Sequence, residues 1–288
     1  MFKKGLLLGT TALLLSACGA ADETTEDAAN DTAEDTTEET TEETVTIRVA
    51  SHLPPMTDVV EIAGDVIEDG YEVELVEVSD NIQYNEALLN EEVDANFAQH
   101  EPFMERFNEE RDGNLVALQP IYNAIVGFYS PVYDSVEDIE HGAEVAIPSD
   151  PTNEARALVT LEEHDLITLD PEVDKSQVTD ADVAENPYNF TFTHVDLLNL
   201  TAAYEDGVEL VFNYPTYIAS IDLTPEDAVI LQADEENLFS QTLIAREDNQ
   251  DSEEIQALVD AMTSQKVYDF LDDLAEDGHL RPAFEPGE

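Results

Sequence analysis

Strand and helix patterns alternate along most of this chain in two consecutive series of similar size. That alternation predicts an α/β protein of two lobes, each a mostly parallel sheet covered by helices, with a ligand cleft between them. Two further observations agree. The patterned body from Val45 onward, about 240 residues, is long enough for two lobes. A single cysteine leaves no internal disulfide, so packing alone must hold that body together.

The first series opens with Val45-Thr46-Ile47-Arg48-Val49-Ala50, a buried strand broken by His52-Leu53-Pro54-Pro55. Thr57 or Asp58 can cap a helix whose Val59, Val60, Ile62, Ala63, Val66 and Ile67 recur near the 3.6-residue period, with Gly70 as its end. Tyr71 to Val78 alternates apolar and acidic residues, as a strand with one wet edge does. A short helix around Ala87-Leu88-Leu89, a strand from Val93 to Ala98, a helix opened by Glu101-Pro102 and a strand from Leu115 to Tyr122 follow. The second series begins near Phe128. It runs through a strand Glu144–Ile147, a helix Asn153–His164, a strand Phe190–Val195, a helix Leu197–Tyr204 and a strand Val208–Phe212. Strands at Val229–Gln232 and Phe239–Ala245 and helices at Glu253–Met262 and Gln265–Ala275 close the chain.

The first 44 residues read differently. Lys3 and Lys4 precede an apolar stretch from Leu6 to Leu15, too short to span a bilayer, and then Leu15-Ser16-Ala17-Cys18. This order is that of a signal peptide over residues 1–17. Its end resembles the lipobox of bacterial lipoproteins, which implies acylation of Cys18, cleavage just before it, and an extracytoplasmic protein anchored to the cell membrane. An ordinary signal peptide with a chance cysteine is the alternative. From Gly19 to Thr44 the chain is almost entirely Ala, Asp, Glu, Thr and Asn, with no apolar period. Such a segment buries too little to offset its chain entropy and is expected to be a disordered, self-repelling spacer over residues 18–44.

Charge excludes several functions. The chain carries 10 Lys+Arg against 68 Asp+Glu, a formal net charge of −58. A nucleic-acid partner requires a basic face, which is missing, and direct docking on anionic lipid is excluded for the same reason. Self-repulsion on this scale destabilises a compact domain in dilute buffer. It is largely screened near 1 M salt, where the Debye length is about 3 Å, so the composition suits a salt-loving host.

Along the body, Ser79-Asp80, Asn85-Glu86-Ala87-Leu88, Asp94-Ala95-Asn96-Phe97 and Gln99-His100-Glu101-Pro102 are followed by Ile147-Pro148-Ser149-Asp150-Pro151-Thr152-Asn153 and Arg156-Ala157-Leu158. Glu185-Asn186-Pro187, Arg246-Glu247-Asp248 and Pro282-Ala283-Phe284 complete the set. In this order and spacing the chain resembles the NlpA/MetQ family of lipoproteins, the methionine-binding components of ABC importers. The resemblance implies a type II periplasmic-binding-protein fold. One lobe would be 45–127 plus 238–288, the other 128–237, closing around one small ligand. It implies capture of an amino acid, most often methionine, for an importer whose membrane subunits and ATPase are separate chains. No Gly-rich phosphate loop is present here, and no cofactor is expected.

Arg156 is the leading ligand contact, because a guanidinium grips a carboxylate with two parallel hydrogen bonds. It follows the helix start Asp150-Pro151-Thr152-Asn153, where free N–H groups also favour an anion. The resemblance adds Asn153 and Asn213 as polar contacts at the backbone end of the ligand and His100 as a site histidine. Departures from the family pattern fall in the same region. Asn81 replaces an aromatic residue, Ala98 stands where the family has phenylalanine with Phe97 one place earlier, Phe103 replaces tyrosine, and Gln241 replaces a second asparagine. A one-place shift in a strand moves a side chain to the opposite face. The lost aromatic surface is expected to weaken a thioether grip, unless Tyr84, Phe97 or Tyr122 refills the space. A methionine-containing dipeptide or another amino acid therefore stays open as ligand. Two further classes were weighed. Metal capture could use His52, His100 and His194, each near a strand end, although their spacing matches no zinc motif. Catalysis lacks a nucleophile elbow, a His-Glu-x-x-His helix and a second cysteine.

Overall fold

Alternating burial along β2 (Tyr71–Glu77) sets the edge of the first sheet: it pairs in parallel with the more deeply buried β1 (Val45–Ser51), from Val45 opposite Tyr71 to Ser51 opposite Glu77, and keeps Glu72, Glu74 and Glu77 in solvent. A computed structural model describes residues 44–232, 237–276 and 278–287. Cys18 and most of the acidic spacer lie outside the described residues. Between the two strands runs α1 (Met56–Gly64), which begins at Pro55 without a side-chain cap; Thr57 lies buried in its first turn and caps nothing. The helix also ends six residues before Gly70, at Gly64, whose missing side chain lets α1 approach β2: a Cβ there would sit 3.3 Å from the Val73 Cβ.

The chain continues through α2 (Gln83–Leu89), β3 (Ala95–His100), α3 (Glu101–Arg111) and β4 (Leu115–Ala124). It then enters the second sheet with β5 (Gly127–Tyr129), β6 (Glu144–Pro148) and α4 (Pro151–Glu163). A small antiparallel pair, β7 (Thr168–Leu169) and β8 (Val183–Glu185), precedes β9 (Thr191–Val195), α5 (Leu200–Glu205), β10 (Leu210–Asn213), α6 (Pro215–Ile218) and β11 (Ala228–Leu231). The return segment is β12 (Gln241–Arg246), followed by α7 (Glu253–Met262), α8 (Gln265–Glu276) and β13 (Leu280–Pro282).

The first sheet has the order β13-β4-β12-β3-β1-β2 and the second β11-β5-β10-β6-β9. Both are mixed, which corrects the expectation of mostly parallel sheets. The first sheet is antiparallel wherever β12 and β13 take part, and the second wherever β5 does. The reason is connectivity. The chain leaves the first sheet after β4 and comes back as β12, which inserts between β3 and β4 in the opposite sense. Strand periodicity reports which face is buried and carries no information on direction.

Several of the motif residues turn out to be structural. Asn85 on α2 and Asn96 and Gln99 on β3 form a buried amide cluster: Asn85 Nδ2 donates to Gln99 Oε1 at 2.8 Å, and Asn96 Nδ2 to Asn85 Oδ1 at 2.9 Å. Buried amides demand partners, and this set supplies them from within, fixing α2 on the sheet.

Candidate functional site

The carboxyl ends of β1, β3 and β4 and the start of β12 face the loops after β6 and β10 across a cleft. From the first sheet come Met56, Asn81, Tyr84, Ala98, His100 and Phe103, with Tyr122 and Gln241 beside them; Asn153, Leu197, Tyr214 and Tyr217 come from the second. This is the switch-point position at which α/β sheets bind small ligands. The wall carries no lysine, arginine or carboxylate among the described residues. It is aromatic and amide-rich.

His100 ends β3 and caps α3. Its Nδ1 accepts the Phe103 N–H at 3.2 Å, so the ring proton sits on Nε2, which faces Asn153 Oδ1 across the cleft at 3.4 Å. Burial first, then the nearby Arg156 charge, push the His100 pKa down to about 3, so the ring is neutral at ordinary pH. His52 is lowered to about 4 by burial, and its Nε2 lies 3.4 Å from the Tyr217 hydroxyl. Asn81 and Tyr217 line opposite walls of the cleft. Asn153 is held by Asp150, whose carboxylate accepts from its backbone N–H at 3.0 Å and from its Nδ2 at 3.0 and 3.2 Å. Burial raises the Asp150 pKa, and these hydrogen bonds oppose the rise. The N-terminus of α4 is thus occupied by its own cap, which corrects the expectation that its free N–H groups would receive the ligand's anion.

Arg156 stands one layer behind the wall. It is fully buried, and all five donors are used: Nε to Gln232 Oε1 at 2.9 Å, Nη1 to the Tyr214 hydroxyl at 3.0 Å and the Phe239 carbonyl at 3.5 Å, and Nη2 to Asn123 Oδ1 at 3.2 Å and the Ala124 carbonyl at 2.7 Å. The guanidinium carbon lies 5.1 Å from the Tyr214 ring centroid and 5.2 Å from that of Phe239. Every partner is neutral. The Tyr214 hydroxyl in turn donates to Asn153 Oδ1 at 2.6 Å, so a continuous chain of hydrogen bonds joins Arg156, Tyr214, Asn153 and His100.

Of the residues expected at the site, Asn153, His100, Phe103, Gln241, Asn81 and Ala98 line the cleft. Arg156, Asn213 and Phe97 do not. Asn213 turns away: its Oδ1 accepts the Tyr214 N–H and its Nδ2 donates to Thr201. Phe97 is in the core, edge-on to Tyr122 with centroids 5.8 Å apart, while Ala98 faces the cleft. Strand alternation explains both corrections, since Tyr214 and Ala98 hold the cleft-facing places next to them. Tyr84 and Tyr122 do stand in the cleft. Tyr214, Tyr217, Leu197 and Met56 carried no sequence signal apart from lying just after predicted strands or breaks. The three histidines weighed for metal do not converge: His52 and His100 line the cleft, and His194 contacts Glu154 and Asp180 away from it.

Comparisons with known proteins show the family. The family model for the NlpA lipoprotein matches residues 46–284. The D-methionine-binding lipoprotein MetQ of Escherichia coli K12 is 33% identical over 226 residues, covering 77% of this chain and 83% of that protein. The methionine-binding lipoprotein MetQ of Bacillus subtilis is 32% identical over 243 residues, covering 83% and 88%. Among solved structures, a YaeC-family lipoprotein from Enterococcus faecalis is 44% identical with a TM-score of 0.73, covering 83% of this chain and 99% of that one. A nutrient-binding protein from Burkholderia cenocepacia bound to methionine is 28% identical with a TM-score of 0.76, covering 83% and 100%. With its two sheets, its cleft and a match over nearly the whole patterned body, this chain belongs to the NlpA lipoprotein family.

Proposed function

We propose that the protein is an extracytoplasmic solute-binding protein, not an enzyme, that captures methionine and hands it to an ABC importer, held to the membrane through acylated Cys18. The observation that carries this reading is the cleft itself. An aromatic and thioether lining from Met56, Tyr84, Phe103 and Tyr122 suits an unbranched apolar side chain, and convergent amides at Asn153 and Gln241 suit an amino-acid backbone. The relatives from Escherichia coli K12 and Bacillus subtilis described above are methionine-binding lipoproteins. The lobes, 45–127 with 238–288 and 128–237, close on the ligand because it contacts both, and a ligand favours the state that it binds better. Arg156 supplies the positive charge. Its weakest bond, to the Phe239 carbonyl at 3.5 Å, is the one a ligand carboxylate most readily replaces, directly or through Tyr214.

Calorimetry tests this on the full chain carrying Cys18→Ser, unfolded to strip carried-over ligand and refolded in high salt. The panel is both enantiomers of methionine, other amino acids, Gly-Met and Met-Gly. Saturable one-to-one binding of methionine is expected. Preference for a dipeptide or another amino acid reassigns the ligand, and failure of the whole panel on folded protein overturns the reading.

A further inference from the structure

We propose a divalent-cation site of the zinc class, formed by Glu154, Asp180 and His194 on the side of α4 away from the cleft. The three residues come from separate elements: Glu154 from the first turns of α4, His194 from β9, and Asp180 from the 3₁₀ turn Asp180–Asp182. Their ligand atoms all lie within 4.8 Å of one another. His194 Nε2 is 3.1 Å from Glu154 Oε1 and 3.9 Å from Asp180 Oδ2. Two ligands on a tetrahedral zinc stand about 3.4 Å apart, given bonds near 2.1 Å, so the observed spacings bracket the required edge. The ligand set of one imidazole and two carboxylates is one that zinc accepts.

The second observation is the state of Glu154. Its side chain is only 8% exposed, and no lysine or arginine among the described residues lies within ion-pair distance of it or of Asp180. Burying a carboxylate without a compensating cation is costly. Glu154 Oε1 accepts only the Asp180 N–H at 2.9 Å and the His194 ring nitrogen. A second carboxylate beside it adds repulsion, which a dication removes. The other two groups keep 36% and 42% of their side chains in solvent, leaving an approach for the ion and a place for a water as fourth ligand. Such an ion would fasten β9 and the turn at Asp180 to the helix segment that carries Asn153 and Arg156, so it would stiffen one wall of the cleft from behind.

The test uses the full chain with Cys18→Ser, which removes the competing thiol, stripped with chelator and held in high salt. Excess Ca²⁺ occupies diffuse oxygen sites on so acidic a surface. Zinc chloride is titrated calorimetrically, and Co²⁺ is followed by the visible bands of a four-coordinate ion. One equivalent of saturable binding is expected, with a higher melting temperature. His194→Ala is expected to weaken it about 100-fold and Asp180→Asn about 10-fold, the scale on which losses around a metal site fall. Both residues face solvent, so metal-free melting curves close to the parent's verify folding even if Glu154→Gln does not fold. Absent, unsaturable or variant-independent zinc uptake overturns the proposal and leaves His194 as a hydrogen-bond partner of Glu154.

Discussion

Two arginines are buried among the described residues, and they are satisfied in opposite ways. Arg246, at the end of β12, has its own counter-ion: Nε meets Asp248 at 3.1 Å, and Nη1 donates to the carbonyls of Leu88 and Val93 at 3.2 and 3.1 Å. It stitches the first sheet to the loop after α2. Arg156 is more deeply buried and has no carboxylate within ion-pair distance among the described residues, although the chain holds 68 acidic side chains. Its partners are amides, carbonyls, a hydroxyl and two ring faces. A buried cation is ordinarily paired, because desolvation penalises a lone charge. On the proposed function, the lone charge of Arg156 beside the cleft is the one whose anion would arrive with the ligand, whereas Arg246 completes the fold.

The sharpest way to break that comparison is Arg156→Ala. Affinity for methionine is expected to fall by about 2–5 kcal/mol, since a desolvated charge contact is lost. Stability falls as well, because Gln232, Asn123 and the Ala124 carbonyl lose their donor. Calorimetry and urea unfolding measured side by side separate the two effects, and unchanged affinity would make Arg156 a second structural arginine. Arg246→Ala should do the opposite, costing about 1–3 kcal/mol of stability because the Val93 carbonyl loses its donor, while the folded fraction binds as before.

The neutral histidines give the next effect. The folded pKa values of His52 and His100 are about 4 and 3, below the ordinary 6.5. Between those limits the unfolded chain binds protons that the folded one refuses. Their contribution is therefore intact above about pH 6.5 and shrinks as pH falls, by on the order of 3 kcal/mol for each histidine toward pH 4. Urea midpoints in high salt, which screens the carboxylates, should show this slope, and His100→Gln should flatten it. Tyr214→Phe sharpens the comparison at smaller scale. Removing the hydroxyl that links Arg156 to Asn153 should weaken binding by about 1 kcal/mol with little loss of fold, whereas Asn213→Ala should leave affinity nearly untouched. Smallest per residue, but summed over a net charge of −58, is the salt effect: the melting temperature should rise between dilute buffer and molar salt.

Much of the fold was legible because burial periodicity is local. The long helices Pro151–Glu163 and Glu253–Met262 and the strands β1 and β2 announce themselves by which residues recur on one face. Short elements were not legible. Three-residue strands such as Gly127–Tyr129 and Leu280–Pro282 exist only because neighbouring strands pair with them. Part of the site was visible too. Asn153, His100, Phe103 and Gln241 sit at ends of predicted elements and do face the cleft. Asn213 and Phe97 missed it by one place, since strand ends decide which of two adjacent side chains turns inward.

By itself the sequence determined composition, charge and the order of amphipathic segments, and with them the α/β class, the lipobox-like start and the family motifs. Each is a property of neighbours along the chain. Tertiary structure alone decided that β12 inserts between β3 and β4, that Tyr214 faces the cleft, and that Arg156 sits among five neutral acceptors. These depend on segments as far apart as Asn96 and Ile244 meeting in space. A charge's worth is fixed by what surrounds it once water has been removed, and no reading along the chain shows that environment.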